Sequence, residues 1–197
     1  MYRAVTWLAQ SRDVAPDDED AVGRIAETAS FSFPGLHATR TANPPISIDG
    51  IDATSGIRGA AVDAAVSIVA AFPRVRAALV REQRALARSQ GVVMVGRDIG
   101  TVVLPDAALK VYLDAKATER AHRRYDERIS RGEKADYLDI LDAMEKRDRL
   151  DAERADSPLR PADDAVIVDT TGVETAAVIE KVIVLARGRG AAGRATS

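Results

Sequence analysis

The strongest constraint on the fold is a set of three short, nearly unbroken apolar runs: "VVMV" (Val92–Val95), "LKVYLDA" (Leu109–Ala115) and "AVIVDTT" (Ala165–Thr171). Runs of this length without polar alternation are expected of strands buried on both faces of a parallel sheet. Segments with helical periodicity separate or follow them, from Thr118 to about Ser130, from Tyr137 to about Arg154 and from Glu174 to Arg187. Strand-helix alternation of this kind predicts an α/β layered fold with a parallel sheet. Ligands of such sheets bind beyond the carboxyl ends of the strands, so the residues just after each run matter more than the run itself.

The first ninety residues have a different texture. In "MYRAVTWLAQ", Ala4, Val5 and Leu8 fall at helical spacing with no capping residue before Tyr2, so the chain as written opens inside a helix. The acidic run before Ala21, Val22 and Ile25 predicts a second helix with Asp at its cap and first turn. Phe31 and Phe33 then alternate with Ser, and "ISIDGID" sets a D-G turn between alternating apolar residues, which predicts a small antiparallel sheet inserted among helices. From Ile57 an Ala-rich helical pattern resumes, and Pro73 suits the first turn of a further helix that Gly91 closes. The tail "RGRGAAGRATS", residues 187–197, has no periodic apolar face and is expected to be disordered. No internal repeat is present.

Composition narrows the function classes. Lys plus Arg total 28 against 30 Asp plus Glu, a net charge of -2, which argues against a protein whose task is to coat nucleic acid or an anionic membrane. Only Lys110, Lys116, Lys134, Lys146 and Lys181 are lysines. A bias to Arg suits bidentate recognition of phosphate, and follows equally from a GC-rich genome. With no Cys and two His, disulfides and thiolate or imidazole metal sites are excluded, and no metal ligands are assigned. No apolar stretch reaches membrane-spanning length and no signal peptide opens the chain, so a cytoplasmic protein is expected.

Three clusters could carry chemistry. "GRDIGT" follows the first apolar run and offers Arg97 and Asp98 to the crevice; the plainer reading has Asp98 capping its own turn and Arg97 in solvent. Arg147, Asp151 and Arg154 lie at i, i+4 and i+7, so a carboxylate stands between two guanidiniums. Spacing alone favours a surface salt-bridge ladder there over an anion site. Arg120, Arg124 and Arg128 form an i, i+4 stripe beside Arg123 and Arg131, which is either a solvated face or the arm of a lid bringing cations to a phosphate. None of the 13 glycines is followed by Lys, so these residues contain no Walker A motif.

Taken together, "MYRAVTWLA", "VSIVAAFPRVRAALVREQR", "GVVMVGRDIGTVVLPDAALKVYLDA", "ERAHRRY" and "RDRLDAERADSPLRPADDAVIVDT" resemble bacterial cytidylate kinase, a P-loop nucleoside monophosphate kinase. The likeness runs from Met1 to about Ala186 and implies transfer of the ATP γ-phosphate to CMP or dCMP with Mg²⁺. It implies one domain over residues 1–186, with a monophosphate-binding insertion at 26–66 carrying the small sheet and a helical lid near 124–147. By the same resemblance Arg3, Arg97 and Arg154 bind substrate phosphate, Ser67, Arg76 and Asp98 read the cytosine, and Arg147 and Asp151 hold the pentose. That reverses the preference for a surface ladder. The lid cations are Arg120 or Arg124, and a monomer is implied.

Family members carry a strand, P-loop and helix ahead of the segment that here reads Met1-Tyr2-Arg3. The expectation is therefore a cytidylate kinase whose Met1 is an internal methionine, inactive or incomplete as written. The alternative is a catalytically dead nucleotide-binding fragment or interaction protein. Val95 and Gly59-Ala60-Ala61 depart from the family pattern, which usually has an acidic residue before GRD and Thr-Pro-Glu after Ile57-Arg58.

Overall fold

A computed structural model describes residues 1–34, 45–89, 92–153 and 159–190. The chain forms two compact units, Met1–Val92 and Val93–Ser197.

The first unit opens with α1 (Tyr2–Ser11) and α2 (Glu19–Thr28). As expected, α1 has no side-chain cap, whereas Asp18 caps α2 by accepting the Ala21 N–H, with Glu19 and Asp20 in the first turn. Both acidic side chains complement the positive end of the helix dipole. The predicted small sheet forms as β1 (Phe31–Ser32), β2 (Ser47–Ile48) and β3 (Ile51–Asp52), antiparallel in that order. Its D-G turn holds Asp49 at φ 51° and Gly50 at φ 76°, the left-handed pair that a tight hairpin needs. A 3₁₀ turn over Gly56–Arg58 leads to α3 (Ala60–Val69), and α4 (Pro73–Ser89) follows with Pro73 in its first turn. The proposed closing residue Gly91 lies outside the described residues.

One apolar cluster binds this unit together. Val5 and Leu8 of α1, Val22 and Ile25 of α2, Ile48 of β2, Val69 of α3 and Leu79 of α4 all converge in it. The helices that carry Arg3, Ser67 and Arg76 are therefore fixed by side chains withdrawn from water.

The second unit contains a π-helical turn (Ile99–Val103), β4 (Val111–Asp114), α5 (Ala117–Ser130), α6 (Tyr137–Ala152), β5 (Val166–Asp169) and α7 (Thr175–Gly188). Strands β4 and β5 pair in parallel, Val111 with Val166 through Asp114 with Asp169. Two sequence expectations fail here. Residues 92–95 form no strand, and Val93 and Val95 are more than 90% exposed (94% and 92%). A β-branched apolar run becomes a strand only where a neighbour completes its ladder, and these residues lie outside both sheets. Nor are β4 and β5 buried on both faces: Leu113 and Ile167 are exposed, and Val168 alone of the paired residues is buried. Two strands present too little surface to bury each other.

A third correction concerns the tail, because α7 continues through residues 187 and 188 to Gly188; residues 191–197 lie outside the described set. No described helix is long and apolar enough to cross a membrane.

Candidate functional site

Within the first unit, Arg3 projects from the first turn of α1. Its Nε donates to the Ile57 carbonyl at 2.5 Å, and its Nη1 lies 2.7 Å from Asp63 Oδ1 on α3. Ser67 stands one helical turn beyond Asp63 on the same helix, half-buried. Arg76, near the start of α4, is only 6% exposed. Its guanidinium stands 5.7 Å from the centre of the Tyr2 ring, within cation–π range, and its Nη1 donates to the Ala70 carbonyl at 3.4 Å. Arg3 and Arg76 thus flank the same first turn of α1.

Within the second unit, Arg97, Arg147 and Asp151 meet. Asp151 is 5% exposed, and its Oδ2 is paired with Arg97 Nη1 and stands 3.9 Å from Arg147 Nε. A buried carboxylate between two guanidiniums lowers the cost of holding the cations close together and fixes their direction. The Arg147–Asp151 rung that spacing suggests is present, but its carboxylate is buried rather than on the surface. Arg154 lies outside the described residues.

Asp98 is 7% exposed, and its carboxylate does not cap the turn that begins at Ile99, contrary to the plainer expectation. It is instead the main-chain carbonyl of Asp98 that accepts from Val102 and Val103, at 2.9 and 3.2 Å. Arg97 is likewise paired with Asp151 rather than left in solvent. Gly96 serves by its size, since a Cβ there would lie 2.8 Å from Ile99 Cγ1.

Arg120, Arg123, Arg124 and Arg131, on or beside the α5 stripe, are part-exposed and engaged in ion pairs or hydrogen bonds. Arg120 spans to α6, its two terminal nitrogens on Asp148 at 3.3 and 2.5 Å and its Nε on the Ala115 carbonyl at 3.0 Å. The Asp148 carboxylate raises the guanidinium's pKa above its ordinary value. Arg124 pairs with Glu127, and Arg123 reaches the carbonyl and hydroxyl of Thr170 at the end of β5. His122 stacks on Tyr137 with ring centres 4.3 Å apart, a second tie between α5 and α6.

Sequence reasoning missed Asp63, Asp148 and the His122–Tyr137 stack. Asp63 left a signal, as the sole acidic side chain in the Ala- and Val-rich α3. Asp148 left none, being one of many charges on a charged helix. Among the described residues no group of three or more His, Asp or Glu could hold a metal ion.

Comparison with known proteins gives the arrangement its family. A cytidylate kinase family model matches residues 1–188. The cytidylate kinase of Geobacillus kaustophilus is 44% identical over 184 residues, 93% of this chain and 80% of that protein. The cytidylate kinase of Pelotomaculum thermopropionicum is 43% identical over 194 residues, covering 98% and 83%. A bifunctional pantoate ligase/cytidylate kinase of Synechococcus sp. strain JA-3-3Ab is 42% identical over 189 residues, 95% of this chain and 34% of that longer protein. Matched by the family model along nearly its whole length, and with a mixed α/β architecture consistent with a P-loop kinase, this chain belongs to the cytidylate kinase family.

Proposed function

We propose that this sequence serves a CMP and dCMP kinase, in which an oxygen of the nucleoside monophosphate attacks the γ-phosphorus of ATP, the bond to the β-phosphate oxygen breaks, and CDP or dCDP and ADP leave; these 197 residues, without a Gly-Lys pair, supply the acceptor-binding residues. The observation that carries the reading is the buried Asp151 with Arg97 and Arg147 on its carboxylate. Phosphoryl transfer asks a protein mainly to position two nucleotides and neutralise charge, and oriented guanidiniums meet that demand. Arg97, Arg3 and Arg154 take the acceptor phosphate, Arg147 and Asp151 the pentose hydroxyls, and Ser67, Arg76 and Asp98 the cytosine. Asp98 suits the exocyclic amine because an ionised carboxylate only accepts. Arg120 and Arg124 are the lid cations, in a lid near 124–147, while residues 26–66 form the monophosphate-binding insertion. ATP brings Mg²⁺ on its own phosphates, as that ion commonly binds through substrate phosphates and few carboxylates. The described residues do not by themselves make a metal cage.

Titration calorimetry with CMP, UMP and AMP, followed by an assay of CDP formation from ATP, tests the reading. CMP is expected to bind more tightly than the other two. Equal affinity for all three would refute cytosine recognition. CMP binding without CDP formation would reduce the reading to nucleotide binding, a case the lack of a Gly-Lys pair anywhere in these residues makes worth separating.

A further inference from the structure

Asp63 has no part in the roles above, yet it is the side chain that grips Arg3. The two are 60 positions apart in sequence, and their ion pair measures 2.7 Å with each side chain about one-third exposed (32% and 30%). The second hold on Arg3 is the Ile57 carbonyl, a main-chain acceptor at 2.5 Å from the turn that precedes α3. Helices α1 and α3 are also joined by the Gln10 side-chain amide, which donates to the Ala61 carbonyl at 3.0 Å. Val5 and Leu8 on α1 and Val62, Val66 and Val69 on α3 are buried, so both partners of the ion pair stand on fixed backbones.

An arginine carries five N–H donors in a rigid planar fork. Nε and Nη1 are engaged by Ile57 and Asp63, and among the described residues Nη2 has no hydrogen-bond partner. Two holds on a planar group leave it little freedom to rotate, and the unengaged nitrogen is then available to an anion. Without them, binding an anion would have to order a long side chain that samples many rotamers.

We propose that Asp63 is a positioning residue for Arg3, orienting its guanidinium for the phosphoryl group of a nucleoside monophosphate. The proposal rests on the reading of Arg3 as a phosphate ligand and adds the residue that makes it effective. The opposing effect is electrostatic, since the Asp63 charge also repels a phosphate dianion. At this exposure solvent screens that repulsion, so orientation outweighs it.

Calorimetry with CMP and with cytidine, which lacks the phosphate, tests this on the 197-residue chain. Asp63→Ala is expected to weaken CMP binding about tenfold, the worth of one charge-assisted hydrogen bond, and to leave cytidine binding unchanged. Asp63→Asn keeps an acceptor oxygen in place and is expected to stay within about twofold of wild type. Arg3→Ala with Asp63→Ala should bind CMP no more weakly than Arg3→Ala alone. Asp63→Ser provides a second truncation should the alanine variant not fold, as judged by its thermal melt. CMP binding by the truncated variants that equals or exceeds wild type overturns the positioning role, as does an equal loss for cytidine. A wild-type chain that does not distinguish CMP from cytidine instead overturns the phosphate role of Arg3, and this proposal with it.

Discussion

The elements of the two units are joined by different physics. In the first unit four helices and a small sheet share one apolar cluster, and the site side chains ride on backbones that cluster immobilises. In the second unit few large apolar side chains are buried, while Leu113, Ile167, Ile179 and Val184 are each more than half exposed (54%, 60%, 54% and 59%). Its elements are tied instead by side-chain pairs: Arg120 to Asp148, Arg123 to Thr170, Lys110 to Asp164 and Arg97 to Asp151. Charge screening by salt weakens half-exposed ion pairs and does not weaken apolar packing. The elements of the two units therefore owe their order to forces that respond differently to mutation and solvent, although Arg3 and Arg120 are both held by part-exposed ion pairs.

The sharpest way to break this comparison is to delete equivalent leucines. Leu79→Ala empties a fully buried position of the first unit and is expected to cost about 2–5 kcal/mol in urea unfolding. Leu113→Ala, at a position more than half exposed, should cost less than about 1 kcal/mol. A loss at Leu113 as large as that at Leu79 would mean that the second unit has an apolar core of its own.

Next in size is Asp151→Ala, which leaves Arg97 and Arg147 without the carboxylate between them. Leaving a buried charged group unpaired is costly, but both guanidiniums are more than one-third exposed (38% and 43%), so the expected destabilisation is about 1–3 kcal/mol. CMP affinity should fall with it, read by the same calorimetry. Unchanged stability would show that the pairing does not hold this part of the unit together.

The smallest effect is at Arg120 and Asp148. A double-mutant cycle is expected to return a coupling of about 0.5–1 kcal/mol for this half-exposed bidentate pair, shrinking in molar salt. The cost of core variants in the first unit should not shrink in salt. A coupling that survives high salt would indicate a pair shielded from solvent and would weaken the contrast.

Most helices and the hairpin were legible because their causes are local. Asp18 caps α2 from within the same turn, and Asp49-Gly50 adopts the backbone its hairpin requires without tertiary help. Val92–Val95 was misread because strand formation depends on a partner, and apolarity records only that a residue would profit from one. The resemblance pointed to Arg97, Arg147 and Asp151 as substrate-binding residues, but that Asp151 is buried and serves both arginines was not legible. Spacing alone favoured the surface.

The sequence by itself determined most of the helices, the Asp18 cap of α2, the small antiparallel sheet and the family, all of which depend on local propensity or on the order of residues along the chain. Only the tertiary structure decided that Asp63 holds Arg3, that Arg120 spans to Asp148, and that the β4–β5 strands remain half open. Those outcomes depend on which side chains meet across 60, 28 and 55 positions, pairing Arg3 with Asp63, Arg120 with Asp148 and Val111 with Val166. A charge or an apolar side chain carries no record of its distant partner, so only the folded backbone selects it.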